Sequence, residues 1–307
     1  MNPNLISKLM LYLITIFTYL LILIGLGIYK AKFIKTQDDF SVAGRTLTPW
    51  VLVGTMLATW IGTGSILGNA GKTYEIGIAA LMLPIGGVLG IFILTRIAGK
   101  VRAYEKFTVP EILGDRFGSE ARVLSVFALV IAYMVIVSYQ FNAGGAVLHT
   151  VLTDSSGDHL ISVQTGTIIS AIFIIAYTML AGLVSVAYTD VGNGIIMTLS
   201  LLISFPILWI KAGGWSGIEV AFSNMGSPEK MDFFGQYSLI DIINFCLPSF
   251  LLVLGDANMY QRFFASKDAE SARKATTVLV GVVLLIELLI IASAWVSSSM
   301  ISDVENG

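Results

Sequence analysis

Charge is scarce in this chain. Asp, Glu, Lys and Arg supply only 12% of the 307 residues, where a soluble domain carries about 25%. So few charges cannot cover a water-facing surface, and a soluble globular fold is excluded. Cysteine is nearly absent: Cys246 stands alone in an apolar run, which excludes an intramolecular disulfide and a thiolate metal cluster. The two histidines, His149 and His159, fall near a polar loop and read as solvated loop residues. No His, Cys or carboxylate cluster has catalytic or metal spacing, so the chain is not expected to be an enzyme. Neither an organic cofactor, a transition metal nor a nucleic-acid partner is expected.

What is abundant is apolar length. Hydrophobic residues make up 56% of the chain and the mean hydropathy is +0.84. They come in runs of about 20, the length a helix needs to cross a bilayer's hydrocarbon core. The pattern predicts an all-α polytopic membrane protein, multi-pass in the cell membrane, with eight spans at 9–29, 49–71, 77–98, 122–149, 162–182, 188–211, 239–263 and 275–300. The first run, Leu9 to Ile28, is too long for a signal peptide and lacks its small-residue cleavage pattern, so it reads as a retained span. Connections are charged or rich in turn residues, as at Asp154-Ser-Ser-Gly-Asp158 and in the long stretch 212–238. With the N-terminus outside, 14 of the 18 Lys and Arg fall on the cytoplasmic side, leaving Lys8, Lys72, Lys211 and Lys230 outside. That bias supports both the count and the direction. Trp50, Trp209, Trp215 and Trp295 fall near span ends, as an interfacial belt requires, whereas Trp60 lies beside a glycine pair.

That pair interrupts the second span. Gly62 and Gly64 bracket Thr63 near its middle. Glycine weakens a helix, and backbone groups freed inside a bilayer need a partner that lipid cannot supply. Protein, water, an ion or a solute can. Span 7 carries its own interruption at Pro248 and again at Gly255-Asp256, for which a simple proline kink is the alternative. With span 1 set aside, the two interrupted spans are the first and sixth of a core and run in opposite directions. Carriers built from inverted repeats place a broken helix in each half in this way.

Four stretches then resemble the sodium/solute symporter family. They are Asp39-Phe-Ser-Val-Ala-Gly-Arg45, Thr108-Val-Pro-Glu-Ile-Leu-Gly-Asp-Arg-Phe-Gly118, Ala181-Gly-Leu-Val-Ser-Val-Ala-Tyr-Thr-Asp190 and Asn258-Met-Tyr-Gln-Arg-Phe-Phe-Ala-Ser-Lys-Asp268. The resemblance implies a LeuT-like inverted-repeat transporter of ten core helices, here incomplete. Residues 1–307 would form a single transmembrane domain, with 9–29 a peripheral N-terminal helix, 49–211 the first five-helix repeat and 239–300 the first two helices of the second. The chain stops at Gly307 before core helices 8–10, so a fragment or truncated product is expected. The implied activity is sodium-coupled symport of a small organic solute by alternating access. A sensor module of a transporter-like signalling protein, and an inactive fragment, are the alternatives.

The resemblance also nominates residues. The carbonyls of Ala58 and Ile61 would form half of a sodium site, with Asp190 on the sodium path. A helix N-cap is the other reading of Asp190, and Asn193 stands where the family often has Gln. Trp60, Thr63 and Ser65 are candidate solute contacts, joined by Tyr139, Gln140 and Asn142 on span 4 and by Ser249 and Asp256 on span 7. Apolar Leu251, Leu252 and Val253 count against a sugar. Glu287 lies mid-span among aliphatics, so a polar partner, a water-filled surrounding or protonation is expected; a structural pair with an absent helix is favoured over a proton-coupling role. Glu111 and Arg116 are expected to pair across the loop between spans 3 and 4.

Overall fold

The computed structural model describes residues 3–32, 34–153, 158–234 and 237–301. The expected turn at Asp154 to Gly157 lies outside the described residues. Twelve α-helices are described: α1 Pro3–Ala31, α2 Gln37–Val42, α3 Pro49–Trp60, α4 Asn69–Ile76, α5 Leu83–Ala103, α6 Val109–Phe117, α7 Ser119–Val151, α8 Val163–Lys211, α9 Gly214–Asn224, α10 Leu239–Gly255, α11 Ala257–Ala265 and α12 Ala269–Ser298. Among the described residues, five segments are long and apolar enough to cross a membrane, six if the α10–α11 pair, bent by 40°, is one span. Two shorter apolar helices, Pro49–Trp60 and Val163–Ala176, bring the total to the eight segments expected. The stretch 212–238, expected as a connection, instead contains α9 and a 3-10 turn at Pro228–Met231.

The chain divides into two compact units, one of residues 1–46 and 106–189, the other of 47–105 and 190–307. In the first, α2 begins with a capping box, in which Asp39 accepts from the backbone N–H groups of Lys35 at 3.1 Å and Thr36 at 3.0 Å. Those two donors, with the Thr36 side chain, hold the Asp39 carboxyl below the usual carboxylate range. Glu111 does not pair with Arg116. It accepts from Thr108 Oγ1 at 2.9 Å, while Arg116 lies over the Phe117 ring. The ion pair of this loop is Lys106–Asp115, at 2.6 Å. Glu111, in the first turn of α6, is held by the residue just before that helix, whereas Arg116 lies in its last turn. On α7, Leu124, Ile131 and Met134 are each about two-thirds exposed, which a lipid-facing helix tolerates and a water-facing one does not.

Spans 5 and 6 need no loop between them. Helix α8 continues through 183–187, broken at Gly182 alone with φ 53° and ψ −179°. That backbone region is open essentially to glycine, and side-chain-bearing residues forced into it are strained by about 1–3 kcal/mol. A Cβ at Gly182 would also meet Phe40 Cδ2 at 2.8 Å. Gly182→Ala should therefore lower the thermal midpoint in detergent by several degrees, whereas Gly192→Ala, where a Cβ meets nothing within 4 Å, should leave it within a degree or so.

In the second unit α5 packs along both α10 and α12. Close approach to α10 depends on Gly86 and Gly90, where a methyl would strike the Cys246 carbonyl and Val253 Cγ1 respectively. Small residues at such contacts let helix backbones meet where no hydrophobic effect drives them together. Trp295 departs from the belt expectation. It is 3% exposed, packs with Ile218, Phe222 and Val296, and donates from Nε1 to the Lys230 carbonyl at 3.0 Å. That bond satisfies an indole N–H that the interface would otherwise have hydrated.

Candidate functional site

The site begins with the way α3 ends. Thr48 is extended and Pro49 occupies the first turn, where its missing N–H costs nothing and its fixed φ favours the helix. The helix stops at Trp60 because Ile61 adopts φ −80° and ψ 87°. Gly62 N–H then turns to Trp60 O at 3.0 Å instead of reaching back to Ala58 O. The chain resumes through a π-helical turn, Gly64–Gly68, and continues as α4. The carbonyl end of α3 has thus lost donors that a continuous helix would have supplied.

One buried carboxylate lies against α3 before this break. Thr55 Oγ1 donates to Asp190 Oδ2 at 2.6 Å, and Arg262 Nε donates to the same Thr55 oxygen at 3.4 Å. Arg262 Nη2 lies 3.9 Å from Asp190 Oδ2, with the two side chains 9% and 16% exposed. Thr55 therefore relays a hydrogen bond between an acid and a base taken from two other helices. Asp190 lies in the interior of α8, eight positions past the Gly182 break, so it does not cap the start of a helix.

The second buried carboxylate bridges the break itself. Glu287, on α12 and 3% exposed, accepts from Trp60 Nε1 at 3.2 Å and Ser65 Oγ at 2.9 Å on Oε1. Its Oε2 accepts from Asn69 Nδ2 at 2.8 Å. Trp60 is the last residue of α3, while Ser65 and Asn69 follow the break. A single side chain thus ties the two halves together. The bareness of Gly87 makes room for the Trp60 ring, since a Cβ there would sit 2.5 Å from Cζ2. The expected partner for Glu287, an absent helix, is corrected: its partners are already within this unit.

The nominated residues fall into three groups. Ala58, Trp60, Ile61, Thr63 and Ser65 cluster at the break, and the Glu287 carboxylate draws Trp60 and Ser65 together. Asp190 joins the α3 side through Thr55. On α10, Ser249 is half-buried just after Pro248, through which the helix runs without breaking; Asp256 marks the 40° bend and accepts from Asn258 N at 3.0 Å. Tyr139 and Gln140 are exposed on α7 in the other unit, as is Asn142. Sequence reasoning missed Thr55, Asn69 and Arg262 as partners of the two carboxylates. Arg262 had a usable signal, because a buried acid requires a cation and Arg262 lies at the end of an interrupted span.

Comparison with known proteins adds the lineage. Residues 40–304 match the model of the sodium:solute symporter family. The chain is 29% identical over 272 residues to the high-affinity choline transporter 1 of Drosophila melanogaster, an alignment covering 85% of this chain and 41% of that protein. It is 26% identical over 274 residues to the high-affinity proline transporter PutP of Bacillus subtilis (strain 168), covering 86% and 56% respectively. The chain thus spans about half the length of these relatives. Among solved structures, a Na+-coupled sialic acid symporter in a substrate-bound outward-open state superposes with a TM-score of 0.77 at 19% identity, covering 92% of this chain and 59% of that one. The fold is accordingly the LeuT-like one.

Proposed function

Because the chain belongs to the sodium:solute symporter family, a family of transporters and not of enzymes, we propose that its protein couples the inward movement of Na+ to that of a small organic solute by alternating access. The observation that carries this reading is the break after Trp60, which frees backbone carbonyls beside two buried carboxylates. Na+ is a hard cation that favours oxygen ligands, and the Ala58 and Ile61 carbonyls supply them. Asp190, tied to α3 through Thr55, lies on the ion's path. Solute contacts come from Trp60, Thr63 and Ser65 at the break, with Ser249 and Asp256 from the second interrupted span. In this reading 9–29 is a peripheral helix, 49–211 the first repeat and 239–300 the opening of the second, with the N-terminus outside.

Coupling requires that Na+ bind one conformation more tightly than the other, since a ligand indifferent to the two states shifts nothing. Ordering of the break by Na+ provides that difference, because ligated carbonyls fix the backbone that presents Thr63 and Ser65. The full-length protein in proteoliposomes is expected to accumulate its solute only with an inward Na+ gradient, and Asp190→Ala should abolish or uncouple that uptake. Undiminished uptake after replacing Na+ by choline-free K+ buffer would falsify the coupling.

A further inference from the structure

We infer that the solute carried at the break bears a positively charged nitrogen, and that Glu287 is its countercharge. This rests on the symport reading and names the class of solute that the same site takes.

The argument starts from charge balance. Among the described residues of the second unit, Asp190 has a cation beside its carboxylate, Arg262. Among the described residues every hydrogen-bond partner of Glu287 is neutral, namely Trp60, Ser65 and Asn69. Lys72, one turn beyond Asn69, pairs with Glu75 at 2.8 Å instead. Neutral donors stabilise a carboxylate without cancelling its charge, and an ionised acid inside a bilayer is expensive unless a countercharge arrives. An indole N–H can only donate, and Trp60 aims it at Oε1.

Capacity and location follow. A carboxylate has about four acceptor positions, and three are occupied: two on Oε1 and one on Oε2. Oε2 thus carries one donor where Oε1 carries two. It lies beside the interrupted backbone, where solute contacts are proposed. The same surroundings discriminate between cations. A sodium ion needs a shell of oxygens, whereas two of the three groups around this carboxylate present N–H hydrogens. An ammonium needs one strong acceptor and tolerates the rest. The carbonyls before the break suit the metal ion, and Glu287 suits the amine.

The test uses the full-length protein purified in detergent and reconstituted. Thermal shift is recorded in NaCl and in KCl against a panel of amine-bearing solutes, including choline and L-proline, and neutral ones, including D-glucose and 3,3-dimethyl-1-butanol, the uncharged shape-mimic of choline. Uptake of each stabilising solute is then measured. The expected result is that sodium-dependent stabilisation and uptake occur only with positively charged nitrogen. Glu287→Gln, which keeps an acceptor for Trp60 and Ser65, should raise the KM for that solute at least tenfold. Transport of a neutral solute, or a Glu287→Gln protein with unchanged KM, overturns the inference, the latter meaning that the acid is carried neutral as a brace. A Na+ response with no stabilising amine also overturns it and leaves the symport reading standing. No Na+ response with any solute overturns both.

Discussion

Arg262→Met is expected to cost about 3–5 kcal/mol of stability, the range for removing one partner of a buried ion pair. The loss arises less from the missing attraction than from what remains. Asp190 would keep its charge at 16% exposure, with the Thr55 hydroxyl as its hydrogen-bond donor. A hydroxyl can orient toward a carboxylate but cannot neutralise it. The double variant Arg262→Met/Asp190→Asn should therefore recover most of the lost stability, because the amide still accepts from Thr55 Oγ1 and leaves no net charge. Thermal unfolding of the four proteins of this cycle measures the coupling. If the double variant is no more stable than Arg262→Met alone, the pair is not what holds α3, α8 and α11 together, and Arg262 acts through its bonds to Asn258 O and Gln261 Oε1 instead.

Gly86→Val should be nearly as damaging, for a steric reason. The side chain would be driven into the backbone carbonyl of Cys246, an atom fixed within α10 that cannot rotate aside as a side chain can. Overpacking of this kind costs about 1–3 kcal/mol when neighbours can yield, and more when they cannot. The expected outcome is a protein that inserts but elutes as aggregate, or whose thermal midpoint falls by ten degrees or so. Gly281→Ala on α12, where nothing lies within 4 Å of the added methyl, is the control. A Gly86→Val protein with the control's midpoint would show that α5 and α10 are not held at this distance.

Both expectations concern contacts between segments far apart in sequence, and those contacts are where the sequence was least legible. Glu287 is the clearest example. Its placement among aliphatics marked it as an anomaly, and the need for a partner followed from the cost of a lone charge in lipid. The identity of that partner did not follow, because Trp60, Ser65 and Asn69 lie 227, 222 and 218 positions away. Glu111 misled for the opposite reason. An acid and a base near each other in a loop suggest a pair, yet the hydroxyl of Thr108, three residues before Glu111, competes for the acid, and so local a bond costs little order to form. Turns between helices generally take several residues, so the sequence predicts a loop over 183–187, whereas one glycine at positive φ suffices.

The sequence by itself determined that this is a helical membrane protein, where its eight apolar segments lie, and that two of them are interrupted. Those properties depend on hydrophobic run length and on backbone-breaking residues, which are local and additive along the chain. It also carried the family motifs, whose order survives without any knowledge of contacts. Only the tertiary structure decided which buried acid has a base beside it, that Thr55 stands between Asp190 and Arg262, and that one carboxylate joins both halves of the broken helix. Such pairings are set by helix rotation and approach. A turn of about 100° per residue moves a side chain from a neighbour to lipid, and hydropathy does not record that angle.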